Sequence, residues 1–223
     1  MPIFRQHPAT HGSDIQHFHS QIQRLTSKRK VRPVITPSGK RARGVFPSNK
    51  AFGRARFESL LEQDVLRVLE VSSTVVQYRT HPVVLALPGD KVMHYTPDVL
   101  VEWSGGGLLV ETKATYFLRE PKSRNRMHEV AKRLKDHQID WMLIAEGDVR
   151  FDGFQEELRE LLRCRPSIGR RRSGIDLNDW DPLRETPMNP EMERRWRVAQ
   201  RECDLLLQRV MRRDPDELIH CSH

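Results

Sequence analysis

The 223-residue chain has no run of apolar residues approaching a membrane span, which takes about 20 in succession. Its opening residues, MPIFRQHPATHGSD, lack the apolar stretch and small-residue cleavage site of a secretory leader, so a cytoplasmic protein without membrane association is expected. Cysteine is scarce. Cys164, Cys203 and Cys221 lie far apart with no paired spacing, which supports neither a disulfide framework nor a zinc site and leaves reduced, structural thiols. Tyr78, Tyr95 and Tyr116 are too scattered for a stacking platform that would take single-stranded bases. No glycine-rich loop runs into Lys-Ser or Lys-Thr, so ATP hydrolysis is not expected. Histidines are present, but His81, His94 and His128 have no paired metal spacing, and core packing or surface exposure is the expectation for them. His220, Cys221 and His223 read as a frayed tail.

The most informative absence is of acidic residues. Between Ile15 and Phe57 there is no Asp or Glu, although the chain as a whole is 30% charged with a net charge of +8. That stretch carries Lys28, Arg29, Lys30, Arg32, Lys40, Arg41, Arg43, Lys50, Arg54 and Arg56. Each cation that neutralises a phosphate releases condensed counterions, so a one-sided positive field suits a nucleic acid and predicts steep salt dependence. The plain alternative is a solvated arm without a partner. A second cluster, Arg163, Arg165, Arg170, Arg171 and Arg172, fits a linker equally well.

The length allows one well-packed domain with an appendage. Residues 14–27 suit a short amphipathic helix, and 28–53, rich in Pro, Gly, Lys and Arg, reads as a loop or extended arm. Apolar residues at helical spacing from Phe57 to Leu69 predict a helix over 54–71. Short β-prone segments follow: Val75 to Tyr78, Pro82 to Leu87, Val92 to Tyr95, Val99 to Trp103 and Gly107 to Lys113, expected to form a meander. A charged helix from about Asn125 to His137, a strand from Trp141 to Ala145 and a helix near Phe154 to Arg163 complete the pattern. The expected class is α/β, a mixed sheet flanked by helices. The expected division is a basic arm over 1–53, a catalytic core over 54–165, and a linker with a terminal helix over 166–223. Met192, Trp196, Ala199, Cys203, Leu206 and Val210 sit at helical spacing across 190–212 and give that helix an apolar stripe, to be buried on its own core or on a partner.

The chemistry-bearing constellation is Pro97-Asp98, then Glu111-Thr112-Lys113, preceded by Glu62 on the first core helix. Glu111 and Lys113 lie two apart on one strand and so share a face. If the strand of Asp98 pairs with theirs, all three converge. Carboxylates held that close repel unless a divalent cation neutralises them, and an oxygen-only set suits Mg²⁺, with Mn²⁺ as the variant. Such an ion activates water and polarises a phosphodiester, while a neighbouring ammonium such as Lys113 orients that water or offsets phosphate charge. The backbone carbonyl of Thr112 is a further candidate ligand. An Asp followed by Glu-x-Lys also arises by accident in charged chains, so an ordinary ion pair between Glu111 and Lys113 stays open.

These residues resemble the restriction-endonuclease-like nucleases with a Pro-Asp…Glu-x-Lys signature, and among them TnsA, an enzyme that cuts the ends of certain bacterial transposons. The segments Phe57-Glu58-Ser59-Leu60-Leu61-Glu62-Gln63-Asp64, Tyr78-Arg79-Thr80-His81-Pro82, His94-Tyr95-Thr96-Pro97-Asp98-Val99-Leu100 and Leu109-Val110-Glu111-Thr112-Lys113 look like the TnsA catalytic domain in order and spacing, over about residues 54–145. The resemblance implies a restriction-endonuclease-like core. It makes Glu62 the metal-binding helix carboxylate, with Glu58 its rival, Asp98 the strand aspartate, Glu111 the residue at the Glu-or-Gln position, and Lys113 the catalytic lysine. It further implies nicking of double-stranded DNA at the element's 5′ ends, a TnsB-like transposase acting on the 3′ ends, and a TnsC-like ATPase. The segment after residue 165 is short compared with the longer C-terminal domain of the best-known members and resembles the compact versions associated with RNA-guided transposons, which loosens the partner assignments. Two other classes stay open: the same nuclease chemistry in restriction, repair or junction resolution, and a non-catalytic DNA-binding adaptor whose carboxylates are structural.

Overall fold

A computed structural model of the chain describes residues 15–31, 42–103, 106–164 and 189–214. Along it run α1 (Ile15–Leu25), β1 (Gly44–Phe46), β2 (Ala55–Phe57), α2 (Leu60–Val71), β3 (Val75–Thr80), β4 (Leu85–Leu87), β5 (Met93–Tyr95), β6 (Val99–Trp103) and β7 (Gly106–Lys113). Then come α3 (Thr115–Arg119), α4 (Pro121–Asp136), β8 (Trp141–Ala145), α5 (Glu146–Val149), α6 (Phe154–Cys164) and α7 (Pro190–Arg212). The architecture is mixed α/β. Four strands in the order β3-β6-β7-β8 form the central sheet, antiparallel except for the parallel pair β7 and β8. Among the described residues no helix is long and apolar enough to cross a membrane.

The sheet is covered on both faces because its strands alternate apolar residues to each side. Val99, Val101, Leu108, Val110, Met142 and Ile144 pack in one cluster with α2, α6 and α7. Leu100, Leu109 and Leu143 pack in the other with α1, α4 and the β4–β5 hairpin. Period two on a sheet buried on both faces yields near-continuous apolar runs, as in Gly107-Leu108-Leu109-Val110. Gly107 permits the close seating of α1: a Cβ there would run into the ring of Phe18.

Several sequence expectations need correcting. The five strands between Val75 and Lys113 do not form a meander, because β4 and β5 pair with each other as a separate hairpin and β3 pairs with β6 across it. The helix predicted over 54–71 begins only at Leu60, and Ala55–Phe57 is a strand paired with β1. Ser59 stops the strand and starts the helix, its hydroxyl accepting from the Glu62 N–H at 3.1 Å. The charged helix begins at Pro121, whose missing N–H costs nothing in a first turn, instead of near Asn125.

The folded unit also reaches further toward the N-terminus than residue 54. Phe18, Ile22 and Leu25 of α1 are buried on one side of the sheet, and Phe46 and Ala51 on the other. Lys50 belongs to this packed segment, which removes it from the phosphate-contacting set. It is 8% exposed, and its ammonium donates to the carbonyls of Leu69 and Ser72 at the C-terminal end of α2. Lysine there satisfies carbonyls that the helix leaves open. Arg32, Lys40, Arg41, the arginines from Arg165 to Arg172, and Cys221 lie outside the described residues.

The terminal helix docks on its own core. Trp196, Ala199, Cys203, Leu206, Leu207 and Val210 are all buried against the α2 and α6 side. Asp204 locks it in place, accepting from the Ser72 hydroxyl at 2.6 Å and from both the N–H and hydroxyl of Ser73 at 3.0 and 2.5 Å.

Candidate active site

The topology brings the candidate residues to one end of the sheet. In the antiparallel order β3-β6-β7, the end of β3, the start of β6 and the end of β7 coincide. The helix α2 runs back against β3, so its N-terminus falls at the same end. Glu62, Asp98, Glu111 and Lys113 accordingly line one cleft of about 650 Å³. Glu58, His81, Tyr95 and Phe117 share its wall.

Each carboxylate is held differently. Glu62 accepts from the Glu58 N–H at 2.7 Å and from the Ser59 hydroxyl at 3.1 Å, the geometry of a carboxylate that closes the first turn of a helix. Asp98 Oδ2 accepts from both the N–H and the hydroxyl of Thr112, at 2.7 and 2.8 Å. Glu111 is 4% exposed, its Oε1 ion-paired with Lys113 Nζ at 2.7 Å and its Oε2 accepting from the Tyr95 hydroxyl at 2.9 Å. Tyr95 in turn accepts from the Trp141 indole at 2.9 Å.

Crowding of like charge in a partly dehydrated cleft governs the proton affinities. Burial, followed by repulsion from Glu62, pushes Asp98 up from the ordinary 3.8 to about 6, against the opposing pull of Lys113 and the Thr112 hydrogen bonds. Burial and then the Asp98 charge push Glu111 up to about 7. Burial is also the main cause of the rise at Glu62. At Lys113 burial acts downward, but the Glu111, Asp98 and Glu62 carboxylates outweigh it and the net change is upward. The lysine stays an ammonium at neutral pH while its acidic neighbours resist full ionisation. A cation among them would relieve that repulsion.

Of the expected ligands, Glu62 and Asp98 come together with His81, whose position in the chain suggested only packing or exposure. One ligand atom from each of the three lies within 4.8 Å of the others. Glu58 precedes the helix and is not in that group, although it lines the same cleft. Glu111 also stands outside it, engaged by Lys113 and Tyr95. Thr112 is found orienting Asp98 through its N–H and hydroxyl. His81 gives no signal in the sequence because its partners come from α2 and β6, and spacing along one chain segment cannot reveal a ligand set assembled from three elements.

The basic residues divide in the same way. Arg29 and Lys30 line the cleft, and Lys28 beside them is exposed. Lys122 and Arg126 of α4 line the same cleft, and lie outside the acid-free run. Arg54 and Arg56 are exposed on the β2 side, Arg43 is half-buried, and none of the three lines the cleft. Comparison with protein-family models gives no match, and no curated protein matches the sequence.

Proposed function

We propose that this chain is a divalent-metal-dependent DNA endonuclease with a restriction-endonuclease-like core, of the TnsA kind. In this reading it hydrolyses phosphodiester bonds at the 5′ ends of a transposon, alongside a TnsB-like transposase and a TnsC-like ATPase. The observation that carries the nuclease reading is the convergence of Glu62, Asp98, Glu111 and Lys113 in one cleft flanked by Arg29, Lys30, Lys122 and Arg126. The TnsA assignment rests on the sequence resemblance alone.

Glu62 and Asp98 are the side chains to hold the ion, and a bound Mg²⁺ or Mn²⁺ would supply Lewis acidity at the scissile phosphate. Glu111 fixes the Lys113 ammonium beside that position, where it offsets phosphate charge or orients the attacking water. The arginines and lysines of the cleft walls bind the DNA backbone without reading its bases.

The test is cleavage of supercoiled plasmid and of linear duplex by the purified chain with and without Mg²⁺, alone and with a TnsB-like partner. Metal-dependent nicking that disappears in Asp98→Ala and Lys113→Ala supports the reading. Cutting that needs the partner supports the transposon role, and autonomous cutting moves the enzyme to restriction or repair. DNA binding without any cleavage under either condition would reduce it to an adaptor.

A further inference from the structure

We propose that His81 is a third protein ligand of the divalent cation, making the centre a mixed nitrogen and oxygen site that takes Mn²⁺ in preference to Mg²⁺. The inference rests on the reading of the cleft as a metal centre and goes beyond it in donor set and metal choice.

His81 is fixed where β3 ends. Its backbone is left-handed, with φ of 45°, and its N–H donates to the Asp98 carbonyl at 2.8 Å. Histidine tolerates this conformation better than most residues. The turn directs the imidazole into the cleft, where Nε2 stands 3.6 Å from Glu62 Oε2. An octahedral ion with ligands at about 2.1 Å separates adjacent donors by about 3 Å and opposite donors by about 4 Å. The 3.6 Å spacing lies between those values, and the 4.8 Å limit on the whole group lies just beyond them, so small side-chain rotations would close the set on one ion.

The neighbours leave that corner to the imidazole. Asp98 has only Oδ2 committed, to Thr112, and Oδ1 remains for an ion. Glu111 has both oxygens engaged, one by Lys113 and one by Tyr95. Glu111 is also outside the group whose ligand atoms come together, whereas His81 is in it. An imidazole donor changes metal choice, because nitrogen ligands favour transition ions while Mg²⁺ favours oxygen and water.

The experiment uses the full-length, metal-free chain titrated with Mn²⁺ and with Mg²⁺, with pulsed electron paramagnetic resonance of bound Mn²⁺ to detect a directly ligated nitrogen. The expected result is nitrogen coupling and Mn²⁺ binding at least about tenfold tighter than Mg²⁺. In His81→Gln the coupling disappears and Mn²⁺ affinity falls much further than Mg²⁺ affinity, so the preference collapses. His81→Asn, suited to left-handed backbone, gives the same outcome if the loss is one of ligation and not of folding. Glu62→Gln weakens both ions.

Bound Mn²⁺ without nitrogen coupling, or a preference that survives in both His81 variants, overturns the proposal and reduces His81 to an ion-pair partner of Glu62. The nuclease reading would stand in that case, since Mg²⁺-dependent cleavage by the wild-type chain decides it independently. Absence of any divalent binding overturns both.

Discussion

Replacing Asp98 with Asn removes one of the charges crowded at the end of the sheet while keeping an oxygen to accept from the Thr112 N–H and hydroxyl. In the metal-free protein this should stabilise the fold as it destroys the site. A carboxyl raised from 3.8 to about 6 on folding makes ionised Asp98 cost about 3 kcal/mol at a pH well above 6. The direction follows from proton counts. Below about pH 3.8 the group is neutral in both states and the substitution is close to neutral. As pH rises the unfolded chain releases its proton first, so the wild type loses stability until the pH passes about 6. The advantage of Asp98→Asn therefore grows between about pH 4 and pH 7 and then levels, at roughly 6–12 °C in melting temperature for a chain of this size.

Thermal unfolding of both proteins across that range, with chelator, measures it. Added Mn²⁺ or Mg²⁺ should reverse the ranking, since ion at a hundred times its dissociation constant stabilises the wild type by about 2.7 kcal/mol, and the variant lacks one of the ligands. A variant less stable than the wild type at high pH, or a difference indifferent to pH, would refute the argument that burial, and after it repulsion from Glu62, penalises the ionised Asp98 carboxylate.

Asp98→Ala and Lys113→Ala should abolish strand cleavage while DNA affinity, measured by fluorescence anisotropy, stays near that of the wild type. In a reconstituted transposition reaction they should give joined co-integrates instead of simple insertions. Neutralising Arg29, Lys30, Lys122 and Arg126 together should weaken binding to all sequences, with the salt slope falling by about 0.9 for each phosphate no longer neutralised; a sequence-selective effect would contradict this. Lys50→Ala should instead lower stability by about 1–3 kcal/mol in denaturant titrations and leave the salt slope unchanged, because its ammonium caps α2. Trp196→Ala should cost about 3–5 kcal/mol by the same assay if the docking of α7 is part of the fold.

Local pattern made much of this chain legible in advance. The strands Val99–Trp103 and Trp141–Ala145 and the helix Pro190–Arg212 have the bounds that periodicity predicts, because each is a short or amphipathic run whose burial follows its own residues. The two-residue repeat puts Glu111 and Lys113 on one strand face, and their ion pair follows from it. The pairing partners of the strands were not legible. Nothing in β3 says that it passes over the β4–β5 hairpin to join β6, since register depends on which apolar faces meet once all elements pack.

Charge misled where burial overrode it. Lys50 reads as one more cation in an acid-free run, yet the open carbonyls at the end of α2 claim its ammonium. Sequence alone thus determined the β-prone and helical segments, the excess of positive charge, and the Asp98, Glu111 and Lys113 grouping. Tertiary structure alone decided that the turn residue His81 meets Glu62 and Asp98, that Lys122 and Arg126 line the same cleft as Arg29 and Lys30, and that α7 closes its own core. The reason is that chain spacing reports only neighbours within one element, whereas a site at the end of a sheet is assembled by the pairing of elements distant in sequence.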